Sequence, residues 1–253
     1  MIEDKYIHLI NLKNINFNNK ILISWLKYNE EWKCIKWNSK MIENLLKLKY
    51  KKIYNYYIKV DDIKKKDIAS FLILYHYGGL YLNLSLICTK SINKLIKYFK
   101  NYDIIFSKYP KNNLVENMYF KLNGIKDTSN IISNDIILSK KKKIFWLNLV
   151  NKIIEKPIYI QRNNHTGYVF MSNFIYENKK TKFLNDIILA NNYFLIPCYN
   201  ASFICNNNLS YTKLDNDKIN YNFTYYYFRY LRNLKKILLI IIYIIIVFYI
   251  NKI

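Results

Sequence analysis

The hydrophobic period of the chain changes within one stretch, Asp67 to Ile87. Ile68, Phe71, Leu72 and Tyr75 recur at the three/four spacing of a helix face, which predicts an amphipathic helix. Gly78 and Gly79 end it, because glycine takes the backbone conformation of a helix stop at little cost. Leu80, Leu82, Leu84 and Leu86 then alternate with Tyr81, Asn83, Ser85 and Ile87. Period two predicts one strand over 80–87, leucines on one face and Tyr81, Asn83 and Ser85 on the other.

The same reading extends outward. Lys5–Leu12 reads as a first strand. Asn18 or Asn19 caps a helix carrying Ile21, Leu22, Trp25 and Leu26, and Glu31–Trp37 is a second strand. Ser39 caps a helix with Ile42, Leu45 and Leu46 on one face. Asp61 and Asp62 open the central helix, where carboxylates suit the helix dipole. Tyr102–Ser107 is a further strand, and residues 108–130 form a polar excursion. His165, Thr166 and Gly167 begin a helix holding Val169, Phe170, Ser172 and Phe174. Strands alternating with helices predict a mostly parallel α/β sheet.

The C-terminal part breaks this pattern. Ile237–Ile250 is an unbroken apolar and tyrosine run, preceded by Arg229, Arg232, Lys235 and Lys236 and followed by Lys252. The expected organisation is a domain over 1–232 and a hydrophobic membrane anchor over 233–253. The basic flank predicts a cytosolic domain on a single-pass C-terminal anchor. The secretory lumen is the alternative, with Asn-x-Ser/Thr triplets at Asn164, Asn200, Asn208 and Asn222.

Composition adds limits. A hydrophobic fraction of 52% excludes a disordered chain. The formal net charge is +23, but its lysines are spread along the whole length and no nucleic-acid-binding motif accompanies them. No nucleic-acid partner is therefore expected. Cys34, Cys88, Cys198 and Cys205 form no CxxC pair, so free thiols and no zinc site are expected.

Asp67, Leu74, Tyr77, Gly78, Gly79 and Tyr81 together resemble the block S-D-x-x-R-x-x-x-L-x-x-Y-G-G-x-Y-x-D-x-D of the DXD sugar-binding glycosyltransferases. That family includes the initiating mannosyltransferases of fungal outer chains. Here Ser70 replaces the arginine, and Asn83 and Ser85 replace the two aspartates. Further matches are Ile7 and His8, Ser24 and Trp25, Trp37, Ser133 and Asn134, Phe145 and Trp146, and Thr166 and Gly167. Asp135 stands where the family has a small residue, Tyr168 replaces a proline, and Phe194–Pro197 resembles a late strand.

The resemblance implies a GT-A-like α/β fold with a mostly parallel central sheet, plus the C-terminal membrane helix. It implies a nucleotide-sugar donor and a glycan or glycoprotein acceptor. Asn83, Ser85 and Asp67 fall at catalytic positions. His8, Gly78, Gly79, Tyr81, Asn134, Asp135, His165 and Gly167 fall at substrate-binding ones. The family holds manganese or magnesium on its DXD carboxylates. Asn83 and Ser85 offer no anionic oxygen, so no metal site is expected. Either a lysine replaces the ion, with Lys90 as candidate, or catalysis has been lost. The expected function is hexosyl transfer from a nucleotide-sugar, the alternative an inactive scaffold or glycan-binding protein at a membrane.

Overall fold

A computed structural model of the chain describes residues 5–13, 19–109, 114–156, 166–195 and 211–214. Apart from Leu214 these lie in one compact unit, residues 1–213. The expected anchor over 233–253, His165, Pro197, Cys198, Cys205 and the four glycosylation triplets' asparagines lie outside the described residues. Among the described residues no helix is long and apolar enough to cross a membrane.

The chain opens with β1 (Tyr6–Ile10), α1 (Asn19–Tyr28) and β2 (Lys33–Trp37). Next come α2 (Ser39–Lys49), α3 (Lys51–Tyr57), α4 (Asp62–Tyr77), β3 (Gly79–Leu82) and β4 (Leu86–Cys88). Then follow α5 (Asn93–Tyr98), β5 (Ile104–Lys108), α6 (Leu114–Leu122), β6 (Ile132–Ser139) and α7 (Ile144–Ile154). The last are α8 (Tyr168–Glu177), a 3-10 turn at Lys182–Leu184, β7 (Ile187–Ala190), α9 (Asn192–Leu195) and β8 (Thr212–Leu214). A six-stranded sheet has the order β2-β1-β3-β6-β5-β7, and β4 pairs with β8 in a second sheet. In the large sheet β1 runs parallel to β2 and β3, and β5 to β7. Only β6, between β3 and β5, is antiparallel to its neighbours. The α/β class and the mostly parallel sheet follow from this.

Burial explains the order. Ile7, His8, Leu9 and Ile10 of β1 are all buried, as are Leu80, Tyr81 and Leu82 of β3, so the sheet centre is covered on both faces. The central helix α4 is not amphipathic as expected. Asp67 and every residue from Ile68 to Leu74 are buried, because α7 packs on one side and the sheet on another. Phe71 of α4 stacks on Trp146 of α7, with ring centroids 5.6 Å apart and planes 15° apart.

The structure corrects several local expectations. The strand expected over 80–87 is two strands in different sheets, broken by a turn at 83–85. Leu84 is therefore only half-buried, whereas Tyr81, expected on the polar face, is 4% exposed. The N-cap of α2 is Asn38, whose side chain accepts from Met41 N at 2.9 Å; Ser39 instead donates to the Leu12 carbonyl. The excursion over 108–130 contains helix α6. Phe194 belongs to α9, not to a strand; the strand of that region is β7, just before it.

The glycine turn is the most constrained backbone here. Gly78 has φ 67 and ψ −158, a combination open in practice to glycine alone. Its carbonyl accepts from His8 Nε2 at 2.8 Å. Trp37 Nε1 donates to His8 Nδ1 at 3.1 Å, which fixes the imidazole proton on Nε2. Burial pushes the His8 pKa down to about 4, so the ring is neutral. Gly78→Ala is expected to destabilise the fold by about 1–3 kcal/mol, read as a lower urea midpoint at unchanged slope. An unchanged midpoint would show that the turn relaxes without strain.

Candidate active site at the exit of β3

Helix α4 and strand β3 are joined by a single residue, Gly78, so the chain doubles back. Asp67 lies eleven residues before Gly78, or roughly 16 Å along a helix. Asn83 lies five residues after it, about as far along extended chain. The reversal therefore returns Asp67 to the level of Asn83. That level is the C-terminal edge of the parallel strands, where open α/β sheets bind ligands.

Strand β6 supplies the other wall. Phe106 pairs with Ile137 while the next residue, Ser107, pairs with Ser133, so one step on β5 spans four on β6. Asn134 and Asp135 sit in this bulge and are half-buried. Bulges re-aim side chains in this way beside functional sites.

The side chains form a connected polar cluster. Asp67 is 7% exposed. Its Oδ2 accepts from Thr166 Oγ1 at 2.7 Å, and its Oδ1 accepts from Asn134 Nδ2 at 3.2 Å. Burial raises its pKa to about 6, against the pull of the Thr166 bond, of nearby Lys66 and of the Asn134 bond. Asn83 is held on both ends of its amide. Lys66 Nζ donates to Oδ1 at 3.1 Å, and Nδ2 donates to Asp135 Oδ1 at 2.6 Å. Ser133 Oγ donates to the other oxygen of Asp135 at 3.0 Å. The Tyr81 phenol lies beneath, its pKa pushed well above the usual value by burial first and then by the Asp67 and Asp135 carboxyls. Gly167 closes the far side: a Cβ there would stand 3.5 Å from Asp67 Oδ2 and 3.7 Å from Asn134 Nδ2.

Of the expected site residues, the fold gathers Asp67, Asn83, Asn134, Asp135 and Gly167, with Tyr81 underneath. Ser85 stands in the turn just beyond Asn83, half-buried. His8, Gly78 and Gly79 are not brought in. Gly78 and Gly79 mark the opposite end of β3, and both ring nitrogens of His8 are spent on the turn and on Trp37. Their part is to set the turn that aims α4 and β3. Thr166 and Lys66 were not foreseen as site residues. The Thr-Gly pair pointed to the first. For the second, the family block has serine before its aspartate where this chain has Lys66.

Lys90, expected as a stand-in for a metal, is exposed, with Nζ 5.9 Å from the centre of the Tyr211 ring. Lys140 and Lys143 both pair with Asp103. The residues do not fit a divalent ion. The Asn83 amide oxygen is turned onto an ammonium and its nitrogen onto a carboxylate. Asp61 caps α4 and pairs with Lys64, and Asp62 pairs with Lys13. Among the described residues no group of three or more His, Cys, Asp or Glu is placed to hold a metal.

Several known proteins are similar. An uncharacterised glycosyltransferase of Acanthamoeba polyphaga mimivirus is 27% identical over 177 residues, which make up 68% of this chain and 63% of that protein. The PaToxG glycosyltransferase structure overlays 72% of this chain and 73% of its own, with a TM-score of 0.48 and 18% identity. Mouse xyloside xylosyltransferase 1 in its apo form overlays 75% and 73%, with a TM-score of 0.45 and 12% identity. Residues 17–102, which hold α4, the glycine turn, β3 and the Asn83–Ser85 turn, match the family model of the glycosyltransferase sugar-binding region containing DXD motif.

Proposed function

We propose that this protein is a glycosyltransferase that takes a hexose from a nucleotide-sugar and passes it to a glycan or protein acceptor. One observation carries the reading. The segment that matches the sugar-binding family delivers Lys66, Asp67 and Asn83 to one point at the strand-exit edge, where β6 and α8 complete a polar cluster. Transfer breaks the bond between the anomeric carbon and a diphosphate oxygen and forms one from that carbon to an acceptor hydroxyl oxygen, whose proton passes to solvent. Negative charge grows on the leaving diphosphate. A fixed cation near that charge lowers the barrier most in a partly dry site. Asp67 acts as a positioning residue, holding the Thr166 hydroxyl and the Asn134 amide. Asn134 keeps an amide oxygen for a sugar hydroxyl.

A second reading, binding without turnover, is favoured by the absence of a carboxylate at both Asn83 and Ser85. Two measurements on the full chain in mild detergent separate these readings. Uridine and guanosine diphosphates are added in a thermal-shift assay; at a hundredfold excess over Kd a ligand adds about 2.7 kcal/mol to stability. A saturable rise in Tm with at least one of them is expected, and no rise with either would sink both readings. Release of nucleoside diphosphate from the matching nucleotide-hexose then distinguishes transferase from binder.

A further inference from the structure

We infer that Lys66 is the resident cation of this site, and that a nucleoside diphosphate binds here on its ammonium without a divalent metal. The inference rests on the nucleotide-sugar reading above and concerns the same site.

Lys64, Lys65 and Lys66 look interchangeable in the sequence, but helical geometry turns each about 100° from the last. Lys64 is buried and pairs with Asp61 at 3.2 Å. Lys65 lies 5.8 Å from the centre of the Tyr57 ring. Lys66 is the one that reaches the end of β3, 3.1 Å from Asn83 Oδ1. The first position of the motif is thereby joined to a positive charge. An aspartate at position 83 would face the Asp135 carboxylate across the 2.6 Å now spanned by an amide hydrogen bond. Such a pair of carboxylates needs a cation or a shared proton between them. Asparagine removes that need: its oxygen accepts from Lys66 and its nitrogen donates to Asp135. The substitution at 83, the acid at 135 and the lysine at 66 are one compensated set. A divalent ion would meet the ammonium in its way and no anionic oxygen at 83 or 85.

Lysine binds phosphate as a point charge with three donors, so it can replace the charge of a metal, though not its fixed coordination. The Lys66 charge belongs to the protein, whereas a metal is carried in and out with the diphosphate.

The test is isothermal titration of the full chain in mild detergent with uridine and guanosine diphosphates, first in chelator and then in manganese chloride. Inorganic phosphate and pyrophosphate serve as probes of the anion alone. The expected result is a Kd that changes less than threefold between chelator and manganese. Lys66→Met should weaken it tenfold or more, and Lys66→Arg should restore most of the loss. Melting temperatures of the unliganded variants separate a binding role from a structural one, since an unchanged Tm assigns the loss of affinity to the missing ammonium and not to a displaced α4. A triple variant, Lys66→Met with Asn83→Asp and Ser85→Asp, should bind the nucleotide more than tenfold better in manganese than in chelator. A wild-type Kd that tightens tenfold with manganese would overturn the inference and leave the nucleotide reading standing. So would a Lys66→Met variant with unchanged Kd. Absence of nucleotide binding under every condition would overturn both.

Discussion

Asp67→Asn is expected to stabilise the fold by about 3 kcal/mol at pH 7 and by only about 0.5 kcal/mol at pH 4. Burial holds the folded-state pKa of Asp67 near 6, above its value of 3.8 in an unfolded chain. Between those two values the unfolded chain has released the proton and the folded one has kept it. Stability therefore falls as pH rises through this window, and it is fully present only below the unfolded pKa. An asparagine cannot ionise, and it still accepts from Asn134 and can donate to the Thr166 hydroxyl. Urea unfolding of both proteins at pH 4, 5, 6 and 7 reads the difference. His8 supplies a contrast, because its folded pKa, near 4, lies below the ordinary 6.5. Its contribution is present above pH 6.5 and lost as pH falls toward 4. Over pH 4–6 the two groups oppose one another, so Asp67→Asn exposes the slope of His8. A variant less stable than wild type at pH 7 would mean that the Asp67 carboxylate is held by more favourable charge than the cluster described above provides.

Trp146→Ala should cost about 3–5 kcal/mol. Trp146 is 0% exposed, stacks on Phe71 of α4 and donates from Nε1 to Ser139 Oγ at 2.8 Å. Its removal leaves a cavity beneath the helix that carries Lys66 and Asp67. Trp146→Phe keeps most of the packing and loses one hydrogen bond, about 1 kcal/mol. Urea midpoints read both losses. Nucleotide affinity should weaken in the alanine variant and hold in the phenylalanine one, because only the first frees α4 to shift.

The reversal from α4 into β3 was legible in the sequence because two glycines mark the point where one hydrophobic period gives way to another. Phe145 and Trp146 were legible as a match; Trp146 is explained by its stacking on Phe71 of α4, and Phe145 by its edge contacts with Phe106 and Phe174. The site was less legible, for two physical reasons. Residues adjacent in a motif are carried apart by an extended strand: Gly79 and Leu82 stand roughly 10 Å from one another, so the glycines and Asn83 serve opposite edges of the sheet. And pairing decides what a polar residue does. Nothing in I-S-N-D-I-I-L-S says that a bulge will form opposite Phe106 and Ser107, or that it will aim Asn134 and Asp135 at Asp67 and Asn83. Lys66 was hidden for the opposite reason, since a lysine within a basic run looks like any solvated charge.

The placement of β6 between β3 and β5 sets an order of events during synthesis. Leu82 of β3 finds its neighbour at Ile136, and Asp67 finds Thr166 across 99 positions of sequence. A nascent chain that has emerged only through α5 can already form the β2-β1-β3 half of the sheet. Its β3 flank is then Gly79, Leu80, Tyr81 and Leu82, without a charge or a proline to discourage a foreign strand. The same β6 that later shields this flank also carries Asn134 and Asp135. Protection from misassociation and the Asn134–Asp135 wall of the site therefore arrive in one step, before Thr166 completes the cluster, and an interrupted chain lacks both.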